Sequence, residues 1–191
     1  MAGQEEALPD DVRLLRDFVN TFEPQVQRES LDTPAQLRDW FAGRRLVARR
    51  ARLTTSDLDL VRTVREGMRA VLMSHAGHAS DEAALVALND ALARVPVRVA
   101  FGDDGDPWLA PSAGEDLHHA LGGLLAAIDR ATADQTWGRL KVCARDSCRW
   151  AFYDASRNRS GRWCSMAGCG NHIKMKRAYA SRKARSSGVG A

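Results

Sequence analysis

At 191 residues, 45% of them hydrophobic and 27% charged, the chain has room for one main core and a small appended module, and its composition is that of a globular protein, neither fibrous nor disordered. The longest apolar-rich run, Leu121 to Ile128, includes two glycines and is too short to span a bilayer. The acidic N-terminus, MAGQEEALPDD, lacks the apolar stretch of a secretory signal, so a cytoplasmic protein with no membrane partner is expected. The net charge of +4 is unevenly spread: residues 139–185 hold thirteen Lys and Arg against Asp146 and Asp154, a net +11, which leaves −7 on the rest.

In chain order, Val12, Leu15, Val19 and Phe22 recur at helical spacing behind Pro9 and the pair Asp10–Asp11, predicting a first amphipathic helix. Thr33-Pro34 reads as N-cap and first helical residue of a short helix carrying Leu37, Trp40 and Phe41 and ending at Gly43. A third helix begins near Ser56 and presents Leu58, Val61, Arg65, Met68, Val71 and Leu72. A fourth starts at Ser80-Asp81-Glu82 with Leu85, Leu88, Leu92 and Val95. Val97 to Phe101 has strand composition, and the turn Gly102 to Asp106 leads to Trp108-Leu109-Ala110, a small hairpin. Helical periodicity resumes over about residues 114–135 through Leu117, Leu121, Leu124, Leu125 and Ile128. The charge changes sign near Thr136 to Arg139. That divides the chain into a helical domain (1–138), a basic module (139–185) and a tail (186–191) expected to fray. The two units are expected to have separate cores.

All four cysteines lie in the basic module as two matched pairs, Cys143-x4-Cys148 and Cys164-x4-Cys169. Four thiolates suit the tetrahedral preference of a closed structural Zn²⁺ site, one ion per chain. Two disulfides would need an oxidising compartment, and four unrelated thiols would not fall into pairs after 142 residues without a cysteine. Leu140-Lys141-Val142 and Trp150 to Tyr153 read as strands around the first pair, and Asn171 to Arg185 as a helix after the second. The expected fold is therefore mainly α with a small hairpin, plus a treble-clef-like α+β zinc module in which Cys169 opens the helix. There the free amides and helix dipole favour a thiolate.

With zinc bound the module stays near +9, in excess of what solubility needs. Its cations alternate with aromatics, a pattern suited to a polyanion. The candidate nucleic-acid contacts are Arg149, Arg157, Asn158, Arg159, Arg162, His172, Lys174, Lys176, Arg177, Arg182 and Lys183, with Trp150, Phe152 and Trp163 assigned to the small core. His172 has no place in a tetrahedron already filled by four thiols. His75 and His78 read as helix-end residues, and His118 and His119 lack a defined metal spacing. No Gly-rich phosphate loop, GxSxG or HExxH occurs, and an all-cysteine site has no open coordination position, so an enzyme is not expected.

The two cysteine pairs, the Asp154-x-Ser156-Arg157-Asn158 run, Arg162-Trp163-Cys164-Ser165-Met166 and Cys169-Gly170-Asn171 together resemble the CGNR zinc finger family. The preceding region resembles the ABATE domain through Asp17-Phe-Val-Asn20-Thr21, Leu37-x-x-Trp40 and Leu88-Asn89. The resemblance implies a bacterial DNA-binding transcription regulator with the finger as its binding element. One position departs from the pattern: the motif's final Arg is His172, which carries no permanent charge. On this reading duplex DNA is the expected partner, and the N-terminal domain senses a small-molecule effector or mediates assembly into a homodimer. Two other functions remain consistent with the residues: an RNA-binding or ribosome-associated protein, and a redox- or zinc-sensing protein-interaction switch.

Overall fold

A computed structural model describes residues 8–79, 81–114 and 116–187, without the side chains of 177, 181 and 183–187. Ser80, the side chains of Arg177 and Lys183, and residues 188–191 of the expected tail lie outside the described residues. The helices are α1 (Asp10–Val19), α2 (Pro34–Ala42), α3 (Thr55–His75), α4 (Glu82–Leu92), α5 (Leu117–Ala133) and α6 (Asn171–Ser187). Three antiparallel strand pairs interrupt them: β1 (Phe22–Glu23) with β2 (Arg28–Glu29), β3 (Val97–Phe101) with β4 (Pro107–Pro111), and β5 (Leu140–Val142) with β6 (Ala151–Tyr153). About half of the chain is helical.

Local chemistry sets the helix ends. Thr33 and Thr54 each form a reciprocal capping box, with Gln36 and Asp57 respectively, while Asp81 and Asp116 accept from the amides of Ala84 and His119. Three helices close by the same paired bonds, in which one residue turns left-handed and the next amide reaches back five positions. In α3 the left-handed residue is Gly77, but in α2 it is Arg45 (φ 60°) and in α5 Gln135 (φ 56°).

The core is built from Val12, Leu15, Phe18 and Val19 of α1, Leu37 and Phe41 of α2, Leu58, Val61, Val64, Met68 and Leu72 of α3, and Leu117, Leu121 and Leu124 of α5. Helix α4 joins it chiefly through Leu88. A Cβ at Gly67 would sit 2.5 Å from the Leu88 Cβ, so α3 and α4 meet as closely as they do only because position 67 has no side chain.

Several expectations need correction. Phe22 is not on the first helix, which ends at Val19. Phe18 fills the core instead, and the Phe22 ring lies beneath the Arg65 and Arg69 guanidiniums at 5.3 and 6.0 Å. Val64 is buried on α3 where Val71 is only half-buried. Ser186 and Ser187 are helical, because nothing in the α6 sequence stops the helix at Arg185.

The expectation of separate cores fails at the strand pair β5–β6. Leu140, Val142 and Ala151 belong to the same buried cluster as the helices, and only the cysteines with Trp150 and Trp163 form a cluster of their own. The physical reason is size. A three-residue strand pair cannot bury its own apolar face, so it lies against α1 and α3.

Candidate zinc and nucleic-acid-binding module

Cys143 and Cys148 sit on the connection between β5 and β6. The turn is pinned by Cys143 N–H donating to the Trp150 carbonyl (2.9 Å) and Cys148 N–H to that of Arg145 (2.8 Å), with Arg149 left-handed at φ 51°. Cys164 and Cys169 come from the other arm. There the Ser165 hydroxyl caps a widened helical turn, Met166–Gly170, that runs directly into α6. Cys169 therefore lies in that turn, two residues ahead of α6, rather than at the first position of the helix.

The four sulfurs lie within 4.8 Å of one another, with Cys148–Cys164 at 3.7 Å and Cys164–Cys169 at 3.8 Å. A disulfide needs about 2.05 Å, and all four cysteines are free. A tetrahedral zinc with bonds of about 2.3 Å has sulfur–sulfur edges of about 3.8 Å. The donor set fits one structural Zn²⁺. Hydrogen bonds from the Cys148 and Cys164 thiols hold Cys143 far below its ordinary range, while their bonds to it push both of those thiols above theirs. A dication among the four sulfurs would favour the thiolate form at each of them.

The loop after β6 is built around a carboxylate. Asp154 is buried and accepts from Lys141 Nζ (2.7 Å), from Ser156 N–H (3.1 Å) and from Gly161 N–H (2.7 Å). Burial by itself would raise its pKa, but these donors bring it down to about 2. A Cβ at Gly161 would sit 2.5 Å from the Asp154 carboxylate, so only glycine lets the loop close over it. Lys141 also donates to the Arg159 carbonyl, and Arg139 to those of Asp154 and Ser156. The closed loop leaves Arg157, Asn158, Arg159 and Arg162 exposed. On α6, His172, Lys174, Lys176 and Arg182 are exposed as well.

Arg149 differs from these candidates. Its guanidinium pairs with Asp146 at 2.8 Å and its side chain is 21% exposed. Both acids of the module are thus committed internally, Asp146 to Arg149 and Asp154 to Lys141.

Sequence reasoning missed the residues that hold the finger to the helical domain. Asn20, just past α1, brackets Ala151 of β6, donating to its carbonyl (2.9 Å) and accepting from its amide (2.8 Å). The buried Arg69 donates to the carbonyls of Arg149, Val19 and Phe22, and His75 Nδ1–H donates to the Leu140 carbonyl (2.9 Å). Burial holds the Arg69 pKa below its ordinary value, against the opposing pull of Glu66, which is bonded to its Nε. A buried arginine on an otherwise apolar helix face was the available signal, and at Arg65 the reading did include one.

A helical domain followed by a four-cysteine, treble-clef-like module whose strand pair packs on α1 and α3 defines a zinc-binding protein. Family models agree. Residues 12–136 match ABATE, described as a "putative stress-induced transcription regulator", and residues 139–183 match the CGNR zinc finger. The chain belongs to the ABATE family and ends in a CGNR zinc finger. Among curated proteins none matches it. Among the described residues no helix is long and apolar enough to cross a membrane.

Proposed function

We propose that the chain is a transcription regulator that binds duplex DNA through its zinc finger, using the 155–162 loop and α6. The observation that carries this reading is the state of the charges. The module's two acids are consumed in internal pairs, whereas Arg157, Arg159 and Arg162 on the loop and Lys174, Lys176 and Arg182 on α6 stay exposed with no ion pair among the described residues. Helix α6 has no acidic residue, its described side chains are exposed almost throughout, and its seventeen residues extend about 25 Å. An α-helix fits the major groove, where arginine forks read guanine edges. Zinc is structural in this scheme: it fixes the loop and the start of α6 relative to one another.

The test is fluorescence anisotropy with duplex DNA and with single-stranded RNA of the same sequence across a salt series. With roughly 4–6 phosphates engaged, the log–log slope for duplex is about −4 to −5. Arg157→Ala and Arg182→Ala each weaken binding. A slope near zero, or unchanged affinity in both variants, removes the proposal. Tighter binding to the single strand moves the function to RNA, where Tyr179, 72% exposed on α6, offers a stacking face.

A further inference from the structure

The −7 balance outside the finger conceals a basic segment. Gly43 to Leu53, joining α2 to α3, contains Arg44, Arg45, Arg49, Arg50 and Arg52 and no acid. These arginines do not share one environment. Arg44 stacks on the Trp40 ring at 3.8 Å and lies 3.9 Å from Asp17, which accounts for it structurally. Arg45 and Arg49 are exposed and, among the described residues, their side chains make no hydrogen bond or ion pair. Both line a cleft of about 410 Å³ between this segment and the start of α5, with Leu46, Val47 and His119 in its walls.

The cleft is held open by packing. Leu46 sits against Gly123 of α5, where a Cβ would come within 2.7 Å of its methyl, and Val47 is buried in the core. The segment is therefore anchored between its two arginines. His119 is fixed by Nδ1–H donating to the Ser112 carbonyl (2.8 Å), and Asp116 is occupied in capping α5; Glu115, beside the lining Gly114, lies outside the described residues. Arg45 adds a second observation. It occupies the left-handed helix-closing position that the same bonding pattern in α3 gives to Gly77, a conformation an arginine adopts at a cost.

We propose that this cleft is an anion site for a phosphate group, held between the Arg45 and Arg49 guanidiniums. Two planar forks whose side chains have no other partner suit phosphoryl oxygens, and the open cleft leaves them accessible to an anion. The phosphate comes either from a free phosphoester ligand or from the backbone of the nucleic acid on the finger. The site does not depend on the finger's own reading.

The experiment uses the full-length, zinc-loaded protein and the double variant Arg45→Gly, Arg49→Ala. Glycine at position 45 suits the left-handed backbone, so the variant keeps or raises its melting temperature. Inorganic pyrophosphate is titrated by calorimetry at low salt, and duplex DNA by anisotropy across salt. One pyrophosphate per chain, bound about tenfold or more weaker in the variant, supports the site with a free phosphoester as its ligand. No pyrophosphate binding, but a DNA salt slope shallower by about 1 in the variant, supports it with the backbone as its ligand. Pyrophosphate bound while DNA is not leaves the cleft standing and removes the finger proposal. Wild type and variant indistinguishable in both titrations, or silent in both, overturn the site.

Discussion

Replacing Asp154 by Asn removes one charge from a buried pair and leaves the other in place. The ammonium of Lys141 then has no counter-charge, in surroundings where both side chains of the pair are less than a tenth exposed. Stranding a buried charge in this way costs on the order of 3–5 kcal/mol, which for a chain of this size lowers the melting temperature by about 10 °C. The loss is measured by calorimetry beside Lys141→Met and the double variant. Because Lys141→Met removes the stranded ammonium, the double variant recovers part of the stability lost in Asp154→Asn. The Asp154 carboxyl titrates at about 2 in the folded chain against an ordinary 3.8. A depressed acid pKa stabilises fully above the ordinary value and ceases to do so as pH falls through the folded one. The gap between wild type and Asp154→Asn therefore narrows between about pH 4 and pH 2. Strictly additive single variants, or a gap unchanged down to pH 2, refute the reasoning.

Three other perturbations follow from the same contacts. Cys164→Ser takes zinc content below the one ion per chain that a closed tetrahedral site holds. Since β5–β6 shares the main core, the whole protein then melts earlier in one transition; an unshifted second transition for the helical domain contradicts that. Asn20→Ala strips both bonds from Ala151, costs about 1–3 kcal/mol and speeds amide exchange on β6 before it does so on α3; uniform exchange across both elements counts against Asn20 as the local tether. Gly67→Ala pushes a Cβ into Leu88, costing about 1–3 kcal/mol in urea melts, and a melt identical to wild type means α4 simply shifts aside.

Reading the chain residue by residue succeeded where the cause is local. Capping at Thr33-Pro34 depends on neighbours within four positions, the hairpin turn at Gly102 to Asp106 on five, and the cysteine pairs carry their coordination chemistry in their spacing. What the sequence withheld depends on partners far apart. Asn20 and Ala151 are 131 positions apart, and Arg69 and Arg149 are 80. In a charge balance Lys141 and Asp154 are only two charges of opposite sign, whereas in the fold they pair and shape the loop that displays the exposed arginines. The same tally, summed over the first 138 residues, hid the arginines of 44–52, because a net charge records amount and not position. Charge in this protein acts through placement. The buried Lys141–Asp154 pair shapes the finger's loop, and the exposed guanidiniums on the loop, on α6 and beside α5 are where we propose that an anion is met.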